Sequence, residues 1–261
     1  MNLRKIFVMV FFLSGFAGMS QTVVNNAFKS GEKLTLIGSY YMSSLWTDLV
    51  EIKMEVHDVP DSKVPLYRLA GTAKTYSSWD NYFKIRDSYQ SWITPTTGLP
   101  VIFKRDMDEG GYTKDEKYVF KRKSLQVTST EKKKNGTIRN NTVAIKANTH
   151  DLVSMVYYVR MLPYSTYKLN QTVVLNVIID EKLENITIKY KGTENINVGK
   201  YGSKKCHKIG ISIGNQKIVK TKETNNVWLT ADANCVPVLI KADIPVGSIQ
   251  IRLSEMTGLK N

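Results

Sequence analysis

The chain has 261 residues, 37 Lys and Arg against 23 Asp and Glu, a formal net charge of +14, and two cysteines. This composition excludes a disulfide-built miniprotein and an intrinsically disordered chain, and past the N-terminal region no apolar stretch reaches the roughly 20 residues that cross a bilayer as a helix. The length suits a single β-rich domain with a sizeable core.

The first element, MNLRKIFVMVFFLSGFAGMSQ, has a basic start at Arg4 and Lys5, an apolar run from Ile6 to Leu13, and the small residues Gly18 and Ser20. These three zones predict a secretory signal over 1–20, cut near Ser20–Gln21, followed by one domain over 21–261. The expected location is outside the cytoplasm, periplasmic or associated with the cell envelope. No Cys follows the apolar run to take a lipid anchor.

Strand patterning dominates the rest. Segments 33–42, 49–56, 66–76, 118–128, 172–179, 184–190, 205–213, 226–231, 236–244 and 246–253 are rich in β-branched and aromatic residues, and many alternate apolar with polar. In ITIKY, Ile186, Ile188 and Tyr190 face one way and Thr187 and Lys189 the other. Short reversals such as Pro60-Asp61-Ser62 and Asn135-Gly136 punctuate the strands. Ten or more strands joined in this way predict an antiparallel meander that curls into a barrel or splits into a sandwich. The polar stretch 130–142 reads as a hairpin tip, and Asp106, Asp108 and Glu109 in RDMDEGG as a solvated or cation-binding loop without the order of an EF-hand.

One amphipathic helix is predicted at about 149–162, across the concave side, with Leu152, Met155, Val156 and Val159 on one face. Asn148 or Thr149 would cap it, Asp151 and Arg160 suit its two poles, and Pro163 ends it.

The stretch SWDNYFKIRDSYQSW, 78–92, is the candidate site. Period-two reading of its strand puts Phe83, Ile85, Asp87 and Tyr89 on the inward row and Arg86 on the other. A carboxylate among apolar neighbours needs a partner, and Arg160 at the helix end is the nominated one. Phe83, Ile85, Asp87, Tyr89 and Arg160 are thus the candidate ligand-cavity residues.

The basic excess is localised. Without Arg4 and Lys5 the net charge is +12; segment 114–146 has ten Lys/Arg against three acids (+7), segment 182–222 ten against two (+8), and the remainder sums to −3. Side by side these segments would form a positive face, with Lys121, Lys123, Lys132, Lys133, Lys204 and Lys205 as candidates, suited to lipid, lipopolysaccharide or acidic polysaccharide. Nucleic acid is not expected, because the basic segments carry few aromatics for base stacking. Cys206 and Cys235, each beside a β-type run, are a candidate cross-strand disulfide in an oxidising compartment, with two buried thiols as the alternative. Cys206-His207 neighbours point to opposite faces of a strand, which opposes a nucleophilic pair. HExxH, CxxC, GxSxG, P-loop and dinucleotide fingerprints are missing from the sequence. No cofactor, metal site or catalytic residue is therefore assigned.

Taken together, FKSGEKLTLIGSYY (28–41), KTYSSWDNYFKIRDSYQSW (74–92), DLVSMVYYVRML (151–162) and VWLTADANCVPVLIKADIPVGSIQIRLSE (227–255) resemble the exported bacterial family catalogued as domain of unknown function number 3108. Its members share a Gly-Glu-x-Leu opening, an Arg-Asp-x-Tyr-x-Ser core, a helix ending in Tyr-x-Arg, a Trp-x-x-x-Asp turn and a closing Val-Gly-Ser. Here Thr230-Ala231-Asp232 stands for the more usual Ser-Asp-Asp, and Cys235 for a residue that is often basic. The resemblance implies a partly open antiparallel barrel with a helix across it, similar to periplasmic carriers of lipid or lipoprotein. The functional expectation is a non-enzymatic exported protein holding an apolar or amphipathic envelope ligand. The alternative is a structural or assembly factor of the envelope with a filled interior and a basic partner-binding surface.

Overall fold

The computed structural model describes residues 23–42, 45–214, 225–243 and 247–261. The expected signal over 1–20 lies outside the described residues. In chain order the strands are β1 (Lys33–Met42), β2 (Leu45–Asp58), β3 (Tyr67–Thr75), β4 (Arg86–Ile93), β5 (Pro100–Glu109), β6 (Tyr112–Lys121), β7 (Gln126–Lys132), β8 (Ile138–Ala144) and β9 (Thr149–His150). The helix α1 (Leu152–Arg160) follows. The chain then continues through β10 (Thr172–Ile179), β11 (Lys182–Asn197), β12 (Ser203–Ile213), β13 (Asn226–Thr230), β14 (Pro237–Asp243) and β15 (Ser248–Thr257).

All fifteen strands belong to one sheet, a meander whose two halves meet where β1 pairs with β15. Every pairing is antiparallel except the short β9–β10 contact. The sheet curls into a barrel but does not close, because β8 and β9 end the strand order. Side chains span the open seam: Ile178 of β10 packs with Val127 and Ile145, and Arg139 of β8 pairs with Glu181 at 2.9 Å. Curling removes most of the exposed edge that a flat sheet of this size would leave.

Alternation selects the concave face. Leu69, Ser91, Phe103, Tyr118 and Ser129, one on each of β3 to β7, are cross-strand neighbours in a single row, and all are buried. On β11, Ile186, Ile188 and Tyr190 are buried as the period-two pattern requires. The helix lies across this concave side, with Tyr157 packed beside Phe28 and Leu69, and Val159 beside Leu175 and Ile188.

The helix departs from its sequence reading in start and in face. Thr149 and His150 are taken by pairing with β10, so the extended Asp151 becomes the N-cap; its carboxylate accepts from the Val153 and Ser154 amides at 2.9 and 2.8 Å. Ser154, Tyr157, Val159 and Arg160 are the buried positions, whereas Val156 is exposed. Polar Ser154 and Arg160 can face inward because the barrel supplies their partners, information that hydrophobic spacing does not hold.

Four strand readings also change. Segment 118–128 divides into β6 and β7 at a short 3-10 turn, Arg122–Ser124, closed by Leu125 at φ 51°. RDMDEGG is the end of β5 plus a tight turn, not a loop, with Gly110 and Gly111 both at positive φ. The 130–142 stretch is mostly paired strand, with only the tight turn over 133–137, around Asn135-Gly136, outside the ladder. β8 escaped detection because six of its seven residues are exposed, so it shows no apolar alternation.

The cysteine bridge is also corrected, because Cys206 and Cys235 are both buried free thiols. Cys206 packs with Leu34 and Trp228, and Cys235 with Leu162 and Leu229, in separate clusters. Burial, reinforced by Asp232, pushes each thiol up to about 11, so both stay protonated at neutral pH.

Candidate functional site

The meander sends its turns alternately to two ends of the barrel. The β1–β2, β3–β4, β5–β6, β7–β8, β10–β11 and β14–β15 turns share one end, called the rim below. Between three of them lies a cavity of about 300 Å3. Its wall continues the concave row: Gly38 and Tyr40 of β1, Val50 of β2, and Ile249 and Ile251 of β15. Its roof is Trp79, Tyr82 and Phe83 from the β3–β4 loop, with Ile85 at the roof's end. A side chain at position 38 would collide with Val50, so glycine there lets Val50 lie across the floor.

Arg86 holds the roof down. Its guanidinium pairs with Asp80 and donates to the Thr75 hydroxyl at 3.0 Å and the Ile85 carbonyl at 2.6 Å, while Thr75 donates to Asp80 at 2.6 Å. Phe83 closes the other side against Gly110 of the β5–β6 turn. Arg86→Met is expected to cost about 1 kcal/mol and to speed amide exchange of residues 76–84 selectively; unchanged exchange there would remove Arg86 from this role.

The sequence-nominated residues separate. Phe83 and Ile85 line the cavity. Phe83 is not on the inward row of a strand, however, because β4 begins only at Arg86; it belongs to the loop and is half exposed. Asp87 is buried on the concave row, but its neighbours are Tyr89, the Asp108 amide at 3.2 Å and the Glu109 carboxyl, not Arg160. Burial, and then the charge of Glu109, raises Asp87 to about 6; burial and Asp87 raise Tyr89 to about 12.

Arg160 sits at the opposite end of the barrel, fully buried, with its two terminal nitrogens on the Glu32 carboxylate at 2.6 and 2.8 Å. It also donates to the Asn234 carbonyl at 3.1 Å and lies over the Phe28 and Tyr157 rings. The Glu32 opening, the helix-ending Arg160 and the Asp232–Asn234 turn thus meet in one contact. Ser91, last of the Arg-Asp-x-Tyr-x-Ser stretch, donates to the Asp151 cap at 2.7 Å.

The basic face is not continuous. All six candidate lysines are exposed, but Lys132 and Lys133 are at the rim, whereas Lys121 and Lys123 lie about 20 Å away at the far end of the β6–β7 ladder. Lys204 and Lys205, at the start of β12, also belong to the far end.

The comparisons with known proteins fit this architecture. The family model described as Protein of unknown function (DUF3108) matches residues 39–254. The chain belongs to that family. The DUF3108 chain is also similar to a crystal structure from Brucella abortus, described as a beta-barrel-like protein of domain of unknown function DUF1849. That likeness covers 88% of this chain and 98% of the other, with a TM-score of 0.56 at 9% identity, and it shows the fold alone. No curated protein matches the DUF3108 chain.

Sequence reasoning missed Gly38, Tyr40, Val50, Ile249 and Ile251 as cavity residues. The aromatic density of 76–83 was the one local signal. The wall comes from strands about 200 residues apart, joined only by the β1–β15 pairing.

Proposed function

We propose that this DUF3108 protein is a non-enzymatic, exported binding protein that holds an apolar chain of an amphipathic envelope molecule in the rim cavity. The observation that carries the reading is a cavity of about 300 Å3 whose wall is mainly aliphatic, from Val50, Ile249 and Ile251 beside Tyr40, and whose roof is aromatic. That volume is at the lower bound of ligand pockets, about 300–1,000 Å3, and fits one narrow chain better than a bulky ring system. The non-enzymatic part is supported by how the reactive-type groups are engaged. Asp151 caps the helix, both thiols are protonated, and His150 is held neutral, lowered to about 3 by burial and by Arg122. The export part rests on the N-terminal sequence pattern.

Titration with a fluorescent fatty acid tests the reading. Val50→Trp, which fills the floor, is expected to weaken binding about tenfold or more while moving the unfolding midpoint little, since the residue is only partly buried. Equal binding by both proteins, or no binding by the parent, would sink it.

A second reading, an envelope assembly factor, is favoured by the rest of the interior. Outside the cavity the concave side is filled by α1 and by the Arg105–Glu116 ion pair at 2.7 Å, with Asp180 of the β10–β11 turn on the same arginine. Mass spectrometry of apolar material carried through native purification separates the two, because the filled-interior reading expects none.

A further inference from the structure

Six aromatic side chains are exposed among the described residues: Tyr41, Trp46, Tyr76, Tyr82, Phe83 and Tyr112. All six are at the rim, on or beside the β1–β2, β3–β4 and β5–β6 turns. Leu45 (72% exposed) and Ile138 (61%) stand on the β1–β2 and β7–β8 turns of the same end, and Tyr82 and Tyr112 reach 82% and 62%. Exposed aliphatic residues also occur elsewhere, Val64, Leu125 and Leu169 among them, but the exposed aromatics gather at this end, and large aromatic side chains gathered in this way mark an interaction surface. They lie on four separate turns around the cavity mouth instead of lining a groove, which suits a broad, deformable partner better than a peptide.

The charges at this end select the partner. Lys84, Lys132, Lys133, Lys134 and Lys182 are exposed on the rim turns. Four rim carboxylates are neutralised by a neighbouring cation, although Asp48 and Asp180 stay solvent-exposed: Asp48 by Arg252, Asp80 by Arg86, Asp180 by Lys114, and Glu181 by Arg139. Aromatic side chains with a polar edge, interspersed with lysine, are the chemistry of a bilayer interface, where rings settle at head-group depth and ammonium groups meet phosphate. The far end carries its own exposed lysines, Lys121, Lys123, Lys204 and Lys205, but none of the exposed aromatics.

We propose that the rim docks on an anionic lipid bilayer, with the aromatic turns dipping into the interface and the rim lysines on the head groups. Docking in this orientation turns the cavity mouth toward the lipid. It goes beyond the ligand reading and stands without it, because the exposed turns bind the surface whether or not the cavity is loaded.

The test is co-sedimentation of the purified protein with vesicles of phosphatidylcholine containing phosphatidylglycerol, and with phosphatidylcholine alone. Leu45→Glu/Tyr112→Glu changes two exposed residues that do not line the cavity, so the unfolding midpoint and fatty-acid binding without vesicles should be unaltered. The parent is expected to bind the anionic vesicles, and the double variant to lose about tenfold or more in partitioning. Lys121→Glu/Lys204→Glu at the far end is expected to leave partitioning unaltered. No binding by the parent, equal binding by the rim variant, or loss only in the far-end variant would each overturn the proposal. So would a concentration-dependent dimer abolished by the rim variant without vesicle binding, which would assign this surface to a second copy. Failure of fatty-acid binding alone would count against the cavity reading and leave the docking result standing.

Discussion

Glu32→Gln is expected to destabilise the protein by about 3–5 kcal/mol, because it leaves the Arg160 guanidinium charged and uncompensated in a site without water access. The pair joins the segment before β1 to the last turn of α1, 128 residues away, and Arg160 in turn holds the Asn234 carbonyl of the β13–β14 turn. One substitution therefore loosens three segments at once. Removing both charges is a different experiment: Glu32→Leu/Arg160→Met is expected to recover much of the loss, since an apolar pair of similar volume avoids burying any ion. Urea unfolding of the two variants and the parent measures both effects. A Glu32→Gln variant as stable as the parent would mean that Arg160 finds other compensation.

The second large effect is in pH. Asp151, fully buried beneath the helix, is raised from the ordinary 3.8 to about 6 by burial, against the opposing hydrogen bonds from Ser91 and Ser154. Asp87 is raised to a similar value by burial and by Glu109. For both groups the folded state holds its proton more tightly than the unfolded chain. The stability they contribute is therefore complete below about pH 4 and lost as pH rises through about 6. The loss amounts to about 3 kcal/mol for Asp151, and about 1 kcal/mol for Asp87 at the strand end, where solvent screening reduces it. Asp48, Asp80 and Asp180, lowered by their arginine or lysine hydrogen bonds, act in the opposite sense below about pH 4, so stability is expected to peak between the two ranges. Chemical denaturation from pH 4 to 8 should show the decline. Asp87→Asn keeps the acceptor for the Asp108 amide and should flatten part of it, raising stability at pH 7.5. A profile that rises from pH 5 to 7 would refute the assignment.

Neither effect was legible in the sequence, although both involve residues that stood out there. Asp87 was readable as an inward carboxylate, since β4 obeys period two from its first residue. Its partner was not, because Asp108 and Glu109 lie on a strand whose acidic composition imitates a loop. Arg160 was readable as a helix-ending cation, but Glu32 gives no local sign of being its counterion. The cavity was half legible: Phe83 and Ile85 in the 78–92 stretch were readable as cavity residues, while the wall opposite comes from both ends of the chain.

By itself the sequence determined the mainly β class, the antiparallel meander, the one α-helix of the described residues and its approximate place, and the family. These follow from alternation, turn chemistry and local motif order, which act within a few residues. Only the tertiary structure decided which ends of the meander meet, which polar groups are buried in pairs, that the thiols stay apart, and that the exposed aromatics share a rim with some of the basic residues and not with others. Those depend on pairings between distant segments, where the free energy comes from burial and partner geometry that no window of sequence contains.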